Sequence, residues 1–281
     1  MNGGLGTVNA LFISIYLLEL VGASAITTLG CVSCRILDMN WGRSAPLWFA
    51  GYLLVYNADR LYPDPADATN TPLRSQWSSR LRLSRVVLVW LSGVVLVVWP
   101  MVTGRLWMLL PFAMAFGVLC FYSRPIPGAR VRLKDLPYLK SVLAPAVIAV
   151  ILVLWPAFES RKLGEQGVWL VFIWMFLILT INALVFDYRD ITGDKLVRTR
   201  TIAVLLGRGG TRRLLAFLAG ALVLMSMCLA CLKLAGPFMP ILLTLGCAGL
   251  LKSLKYPMPP SLLSLLADGL LFLPVLGEWL K

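Results

Sequence analysis

Aspartates gather in two short stretches of this chain. Asp187, Asp190 and Asp194 fall in DYRDITGD, and Asp59, Asp64 and Asp67 in NADRLYPDPAD. Offsets of three and seven put Asp187, Asp190 and Asp194 on one face of a helix. Like charges at such spacings repel by roughly 0.2–0.5 kcal/mol per pair, and more near a bilayer. Carboxylates collected in this way call for a cation. The chain has no His, which removes imidazole base catalysis and His-ligated metals. Oxygen ligands remain, and they select hard ions, Mg²⁺ or Ca²⁺. Mg²⁺ typically binds through one or two carboxylates plus substrate phosphates. Two carboxylate clusters facing each other, edged by Arg and Lys, would suit a diphosphate.

The elements that must position these acids are membrane helices. Of 281 residues, 59% are hydrophobic and 14% charged, against about 25% charged in ordinary globular chains. Apolar runs long enough to span a bilayer recur throughout, which predicts an all-α integral membrane protein and excludes a transmembrane barrel. About nine spans are expected, near 9–29, 44–58, 86–103, 106–122, 137–157, 167–187, 213–233, 237–252 and 260–280. The second is short for a bilayer, and Trp41 and Arg43 could lengthen it. Both acidic stretches then lie on one face, at the ends of spans two and six.

The formal charge of +13 reflects topology rather than nucleic-acid binding. Most Lys and Arg fall in the connections after spans two, four, six and eight. This predicts a multi-pass protein with a cytoplasmic N-terminus and cytoplasmic acidic loops, in the inner membrane if the source is bacterial. The apolar run ending near Ala23-Ser24-Ala25 lacks a basic leader, so an uncleaved first span is expected. Cys31/Cys34 and Cys228/Cys231 form CxxC pairs, but beside apolar helices they read as packing residues rather than zinc ligands. One membrane domain, 1–281, is expected, with pseudo-repeated halves near 1–135 and 136–281, each carrying one acidic loop.

Two longer segments resemble a known family. DYRDITGDKLVRTRTIAVLLG, from Asp187, is similar to the second Asp-rich motif of UbiA-type intramembrane prenyltransferases, with Asp190 and Asp194 matching its DxxxD core. YSRPIPGARVRLKDLPYLK, from Tyr122, is similar to the family's segment between helices four and five. The first motif, YNADRLYPDPADATNTPLR, departs from the family's pattern. Asp59 and Arg60 match its middle, the usual Asn is absent or shifted to Asn57, and the third Asp is Asp64 or Asp67.

The resemblance implies a helical bundle with a central cavity opening to the cytoplasmic face. It implies a transferase of isoprenoid biosynthesis that takes an allylic prenyl diphosphate and a lipophilic, aromatic-type acceptor within the lipid. Mg²⁺ would be held by Asp59, Asp64, Asp67, Asp187, Asp190 and Asp194. Asp59, Asp187, Asp190 and Asp194 would be catalytic through that metal. Arg60, Lys134, Lys140 and Arg198 would take diphosphate oxygens. Asn57, Tyr122, Phe186 and Tyr188 would contact substrate or the allylic cation. A terpene cyclase on the same scaffold and a cation-coupled transporter are the alternatives. Glu19 in span one and Asp268 in span nine are intramembrane acids, functional candidates by default, with no role assigned by sequence.

Overall fold

A computed structural model describes residues 14–62, 67–114, 117, 138–197 and 199–280, without side chains at 67, 68, 73, 74 and 140. Among these the secondary structure is helical, with no strand. A helical turn at 14–17 leads into α1 (Leu20–Ile36). Then come α2 (Ala45–Asp59), the short α3 (Asp67–Asn70) and α4 (Pro72–Trp77), and α5 (Arg82–Val102). α6 (Leu139–Ala149) widens into a π turn (Val150–Leu154) and continues as α7 (Trp155–Glu159). The C-terminal half is α8 (Gln166–Leu196), α9 (Ile202–Cys231), α10 (Met239–Ser253) and α11 (Pro260–Trp279). Arg82–Val102, Ser141–Glu159, Gln166–Leu196, Ile202–Cys231 and Pro260–Trp279 are long and apolar enough to cross a membrane. With the shorter apolar helices α1 and α10, they make a multi-pass membrane protein.

Helix ends follow local chemistry. Prolines in the first turns of α2, α10 and α11 suit positions where a missing N–H costs nothing. Thr201 caps α9, its hydroxyl accepting from Val204 N–H at 3.1 Å. Inside the α6–α7 helix, Pro156 has no N–H to offer the Leu152 carbonyl four residues back. Ser33 Oγ on α1 donates to that carbonyl at 2.9 Å, and the widened turn falls at the same place.

α8 is the axis. It packs against α6, α9, α11 and the short α3. Trp174 in its middle is fully buried and donates to Ser226 on α9 at 3.0 Å. α5 is the opposite case: Trp90, Val94, Val98 and Met101 stand exposed along it, as expected of a lipid-facing helix. α1 and α2 meet closely because Gly22 has no side chain; a Cβ there would overlap the Tyr52 hydroxyl.

Several expected boundaries move. α8 runs through the second acidic stretch to Leu196, so Asp187, Asp190 and Asp194 sit on helix rather than in a loop after it. At about 1.5 Å per residue, some 20 residues from Gln166 already cross a ~30 Å hydrocarbon layer, which leaves the acids at its edge. α9 begins well before 213 and absorbs LGRGG, with a kink at Gly207, whose φ is +66°. The first span is broken at Leu18–Glu19, where Glu19 has φ +64°. A side-chain-bearing residue in that region is uncommon. The cysteines of both CxxC pairs are unbridged.

Candidate functional site

The second acidic stretch is held from three sides. Ser141, in the first turn of α6, donates to Asp187 Oδ2 and accepts from Ile202 N–H at 3.3 Å. One hydroxyl thus ties the acidic end of α8 to the starts of α6 and α9. Arg189 makes a two-pronged pair with Asp190, both contacts at 2.7 Å. It also reaches Ser264 on α11 and lies 5.1 Å from the Phe186 ring centre. Asp187 and Asp194 are buried, which a carboxylate tolerates only with partners or a cation beside it.

The first acidic stretch reaches the second through Asn70. Its Oδ1 accepts from Gly193 N–H at 2.8 Å. Asn70 ends the helix that Asp67 begins, and Gly193 lies between Asp190 and Asp194. A Cβ at Gly193 would overlap the Asn70 amide, so glycine is what permits this approach.

Asp59 is the last residue of α2 and is exposed; Arg60 caps that helix. Arg60 Nε stands 3.8 Å from Glu19 Oε1, at the break in the first span. Asn57 is fully buried and donates to the carbonyls of Leu18 at 3.1 Å and Leu53 at 3.0 Å. Arg85 at the start of α5 is buried and donates to Ser78 Oγ at 3.3 Å and to the Arg60 carbonyl at 3.5 Å. It ties the start of α5 to the end of α2. Its position among many basic residues gave no sign of this, since buried and exposed arginines read alike in sequence.

An apolar cavity of about 490 Å³ lies between α1, α2, α5 and α6. Its walls include Ile26 of α1, Trp48 and Tyr52 of α2, Gly93 of α5, Phe112, and Ile151 of the π turn. Tyr52 and Tyr56 stack at 4.1 Å between ring centres and both line it. Tyr56 is within electrostatic range of Glu19, Arg60, Asp268 and Asp59. These two rings, one turn apart on α2, are aromatic surfaces that sequence reasoning missed. The Tyr188 hydroxyl instead donates to the Leu254 carbonyl at 3.1 Å, and Arg208 covers its ring at 5.4 Å. Phe186 carries Arg189. Asp64, Tyr122, Lys134 and Arg198 lie outside the described residues, as do the side chains of Asp67 and Lys140.

The donor set is oxygen-only, and it fits a hard divalent cation better than a transition metal. Among the described residues no three acidic or Cys side chains stand close enough to hold one alone. A metal here would therefore need oxygens from a ligand, as Mg²⁺ sites completed by phosphate do.

A model of the UbiA prenyltransferase family matches residues 12–259. Among solved structures, one from work on the biosynthesis of digeranylgeranylglyceryl phosphate synthase in membranes aligns with 96% of this chain and 99% of its own. Its TM-score is 0.50 and its identity 15%, a likeness of fold. No curated protein matches this chain.

Proposed function

Because the chain belongs to the UbiA prenyltransferase family, we propose that it transfers a prenyl group from an allylic diphosphate to a lipid-soluble acceptor inside the membrane. The observation that carries this reading is the Asn70–Gly193 contact, which draws the segment begun by Asp67 onto the turn between Asp190 and Asp194. Asp59, Asp187, Asp190 and Asp194, with Asp64 and Asp67, would hold Mg²⁺ at the cytoplasmic end of the bundle. Bound there with the substrate's phosphates, Mg²⁺ supplies the positive charge that stabilises the departing diphosphate.

The chain's own groups do the rest. Ser141 fixes the Asp187 carboxylate, and Arg189 orients Asp190. Arg60, Lys134, Lys140 and Arg198 are the candidates for the remaining diphosphate oxygens. The cavity takes the prenyl tail, at about 0.8 kcal/mol for each CH₂ removed from water. It also keeps water from the allylic cation. Tyr52 and Tyr56 offer that cation stacked aromatic faces.

The test is diphosphate release by the purified protein with prenyl diphosphates of several lengths and Mg²⁺, with and without an aromatic acceptor. Release is expected with acceptor present, and Asp190→Asn and Asp194→Asn should each lower it by ~10²-fold or more. Unchanged release in both variants refutes the metal-based scheme. A cyclic product formed without acceptor would replace transfer by cyclisation.

A further inference from the structure

A polar cleft lies at the end of the bundle away from the acids. Near their starts, α5 is tied by Arg85 to the Arg60 carbonyl, and α6 by Ser141 to Asp187. Their far ends, α6 continuing through α7, therefore stand at the other end. Between them opens a cleft of about 470 Å³, lined by Arg105, Trp107, Phe158, Glu159 and Arg161. The two helices close in the same way. After α5, the Arg105 N–H returns to the Pro100 carbonyl at 2.8 Å and the Gly104 N–H to that of Met101 at 3.2 Å. After α7, the Lys162 N–H returns to the Ala157 carbonyl at 2.8 Å and the Arg161 N–H to that of Phe158 at 3.1 Å. Gly104 and Arg161 are the left-handed residues of these turns, which fix where the two arginines leave the backbone.

The two guanidinium groups are not equally engaged. Glu159 Oε1 accepts from Trp107 Nε1 at 2.8 Å and stands 3.8 Å from Arg105 Nη1. Arg105 also lies 5.8 Å from the Trp107 ring centre. Arg161 is exposed, and its guanidinium has no ion pair or hydrogen bond among the described residues. With one carboxylate against two arginines, the cleft keeps a positive charge that its own walls do not balance. Its surroundings are apolar. Trp107 and Phe158 are exposed, as are Val94, Val98 and Met101 on the length of α5 that leads to Arg105. Exposed aromatic rings at the end of a span mark the level of lipid headgroups.

We propose that this cleft seats one anionic phospholipid, with its phosphodiester on Arg161 and Arg105 and its acyl chains along the exposed face of α5. A phosphodiester carries a single negative charge, which matches the charge left unbalanced. Guanidinium groups meet phosphate oxygens through directed N–H bonds. Glu159, itself held by Trp107, keeps Arg105 in the wall of the cleft. A zwitterionic lipid offers the same phosphate but brings an ammonium group beside two arginines, and the one carboxylate is already engaged. A free phosphate gains nothing from α5. The cleft shares no residue with the acidic stretches, so the proposal stands apart from the prenyl-transfer reading.

The experiment uses the full-length protein in phosphatidylcholine vesicles. These carry a trace of photoreactive phosphatidylglycerol or of photoreactive phosphatidylcholine with the same acyl chains. Peptide mass spectrometry after irradiation measures labelling of residues 101–108 and 155–161. Phosphatidylglycerol is expected to label them at least about fivefold more than phosphatidylcholine, the factor that one Arg near a membrane surface contributes toward an anionic lipid. Arg161→Gly suits the left-handed turn and removes only the side chain; it should lower that labelling about fivefold and leave diphosphate release unchanged. Unlabelled phosphatidylglycerol should suppress labelling, and millimolar inorganic phosphate at matched ionic strength should not. Equal labelling by the two lipids overturns the proposal, as does labelling unchanged in Arg161→Gly. Suppression by inorganic phosphate overturns it too, since the cleft would then hold an ion and not a lipid. The wild-type comparison of the two lipids decides even if the variant fails to fold.

Discussion

Asn70→Ala tests the contact on which the two acidic stretches depend. Asn70 is buried, and its single carbonyl oxygen accepts from the Gly193 N–H at 2.8 Å. Losing such a bond is worth about 0.5–1.5 kcal/mol net, and more if the N–H is left unmet. At about 1.4 kcal/mol per factor of ten, the docked arrangement of the first stretch becomes roughly tenfold less favoured. If only the docked form binds the metal–diphosphate, apparent affinity falls by up to that factor, because it scales with the competent fraction. KM for the prenyl diphosphate and the Mg²⁺ concentration for half-activity should therefore both rise by about tenfold. Rates at saturation should change little, since every acid is intact.

Gly193→Ala attacks the same contact from the other side, because its Cβ would overlap the Asn70 amide. The assay is initial diphosphate release against diphosphate and Mg²⁺ for both variants and the double variant. One shared contact requires non-additivity: once Asn70 is Ala, the methyl at 193 has nothing to displace. KM within twofold of wild type in both variants, or effects that multiply in the double, would refute the reasoning.

Other expectations follow from single contacts. Among the described residues a Cβ at Gly93 would meet only Leu54, at 3.8 Å, so Gly93→Leu should fill the cavity and move chain-length preference one isoprene shorter. At about 0.8 kcal/mol per carbon, denying space to a five-carbon unit costs up to about 4 kcal/mol, which competition between diphosphates of two lengths would reveal. Ser33→Ala removes the donor to the Leu152 carbonyl and should cost about 1 kcal/mol in thermal unfolding. The loss should shrink when Pro156→Ala restores an N–H nearby. Gly22→Val should destabilise the α1–α2 packing by forcing Tyr52 aside, read as a lowered melting temperature and loss of tail-length discrimination.

Helix type and order were legible because long apolar runs have few other solutions in lipid. The acids of DYRDITGD were legible as one helical face by spacing alone. The extension of α8 beyond the apolar run was not, because hydropathy ends where charge begins while backbone hydrogen bonding does not. The first stretch was harder. Its docking depends on Asn70, a residue indistinguishable in sequence from any turn former. Ser141 and Arg85 escaped for the same reason: each acts through a partner more than fifteen residues away or on another helix, and no periodicity encodes that. Aromatic candidates chosen beside the acids, Phe186 and Tyr188, turn out to carry arginines. Trp48, Tyr52 and Tyr56 of α2, with Phe112, are the rings that line the cavity.

The break at Glu19 shows how the polar and apolar parts of the site are joined. A continuous first helix would bond the Leu18 carbonyl to an N–H four residues on. With the chain turned at Glu19, Asn57 meets that carbonyl instead, and the neighbouring carboxylate turns to Arg60 at the end of α2. Backbone strain of order 1–3 kcal/mol at a left-handed Glu is thereby offset by two contacts that fix α1 against α2. The same two helices carry Tyr52 against Gly22 and Tyr56 over the cavity. Relaxing the break with Glu19→Gly would ease the strain but remove the Glu19–Arg60 contact, so the two effects on the melting temperature should oppose each other. Restoring regular helix would leave Asn57 without its Leu18 acceptor.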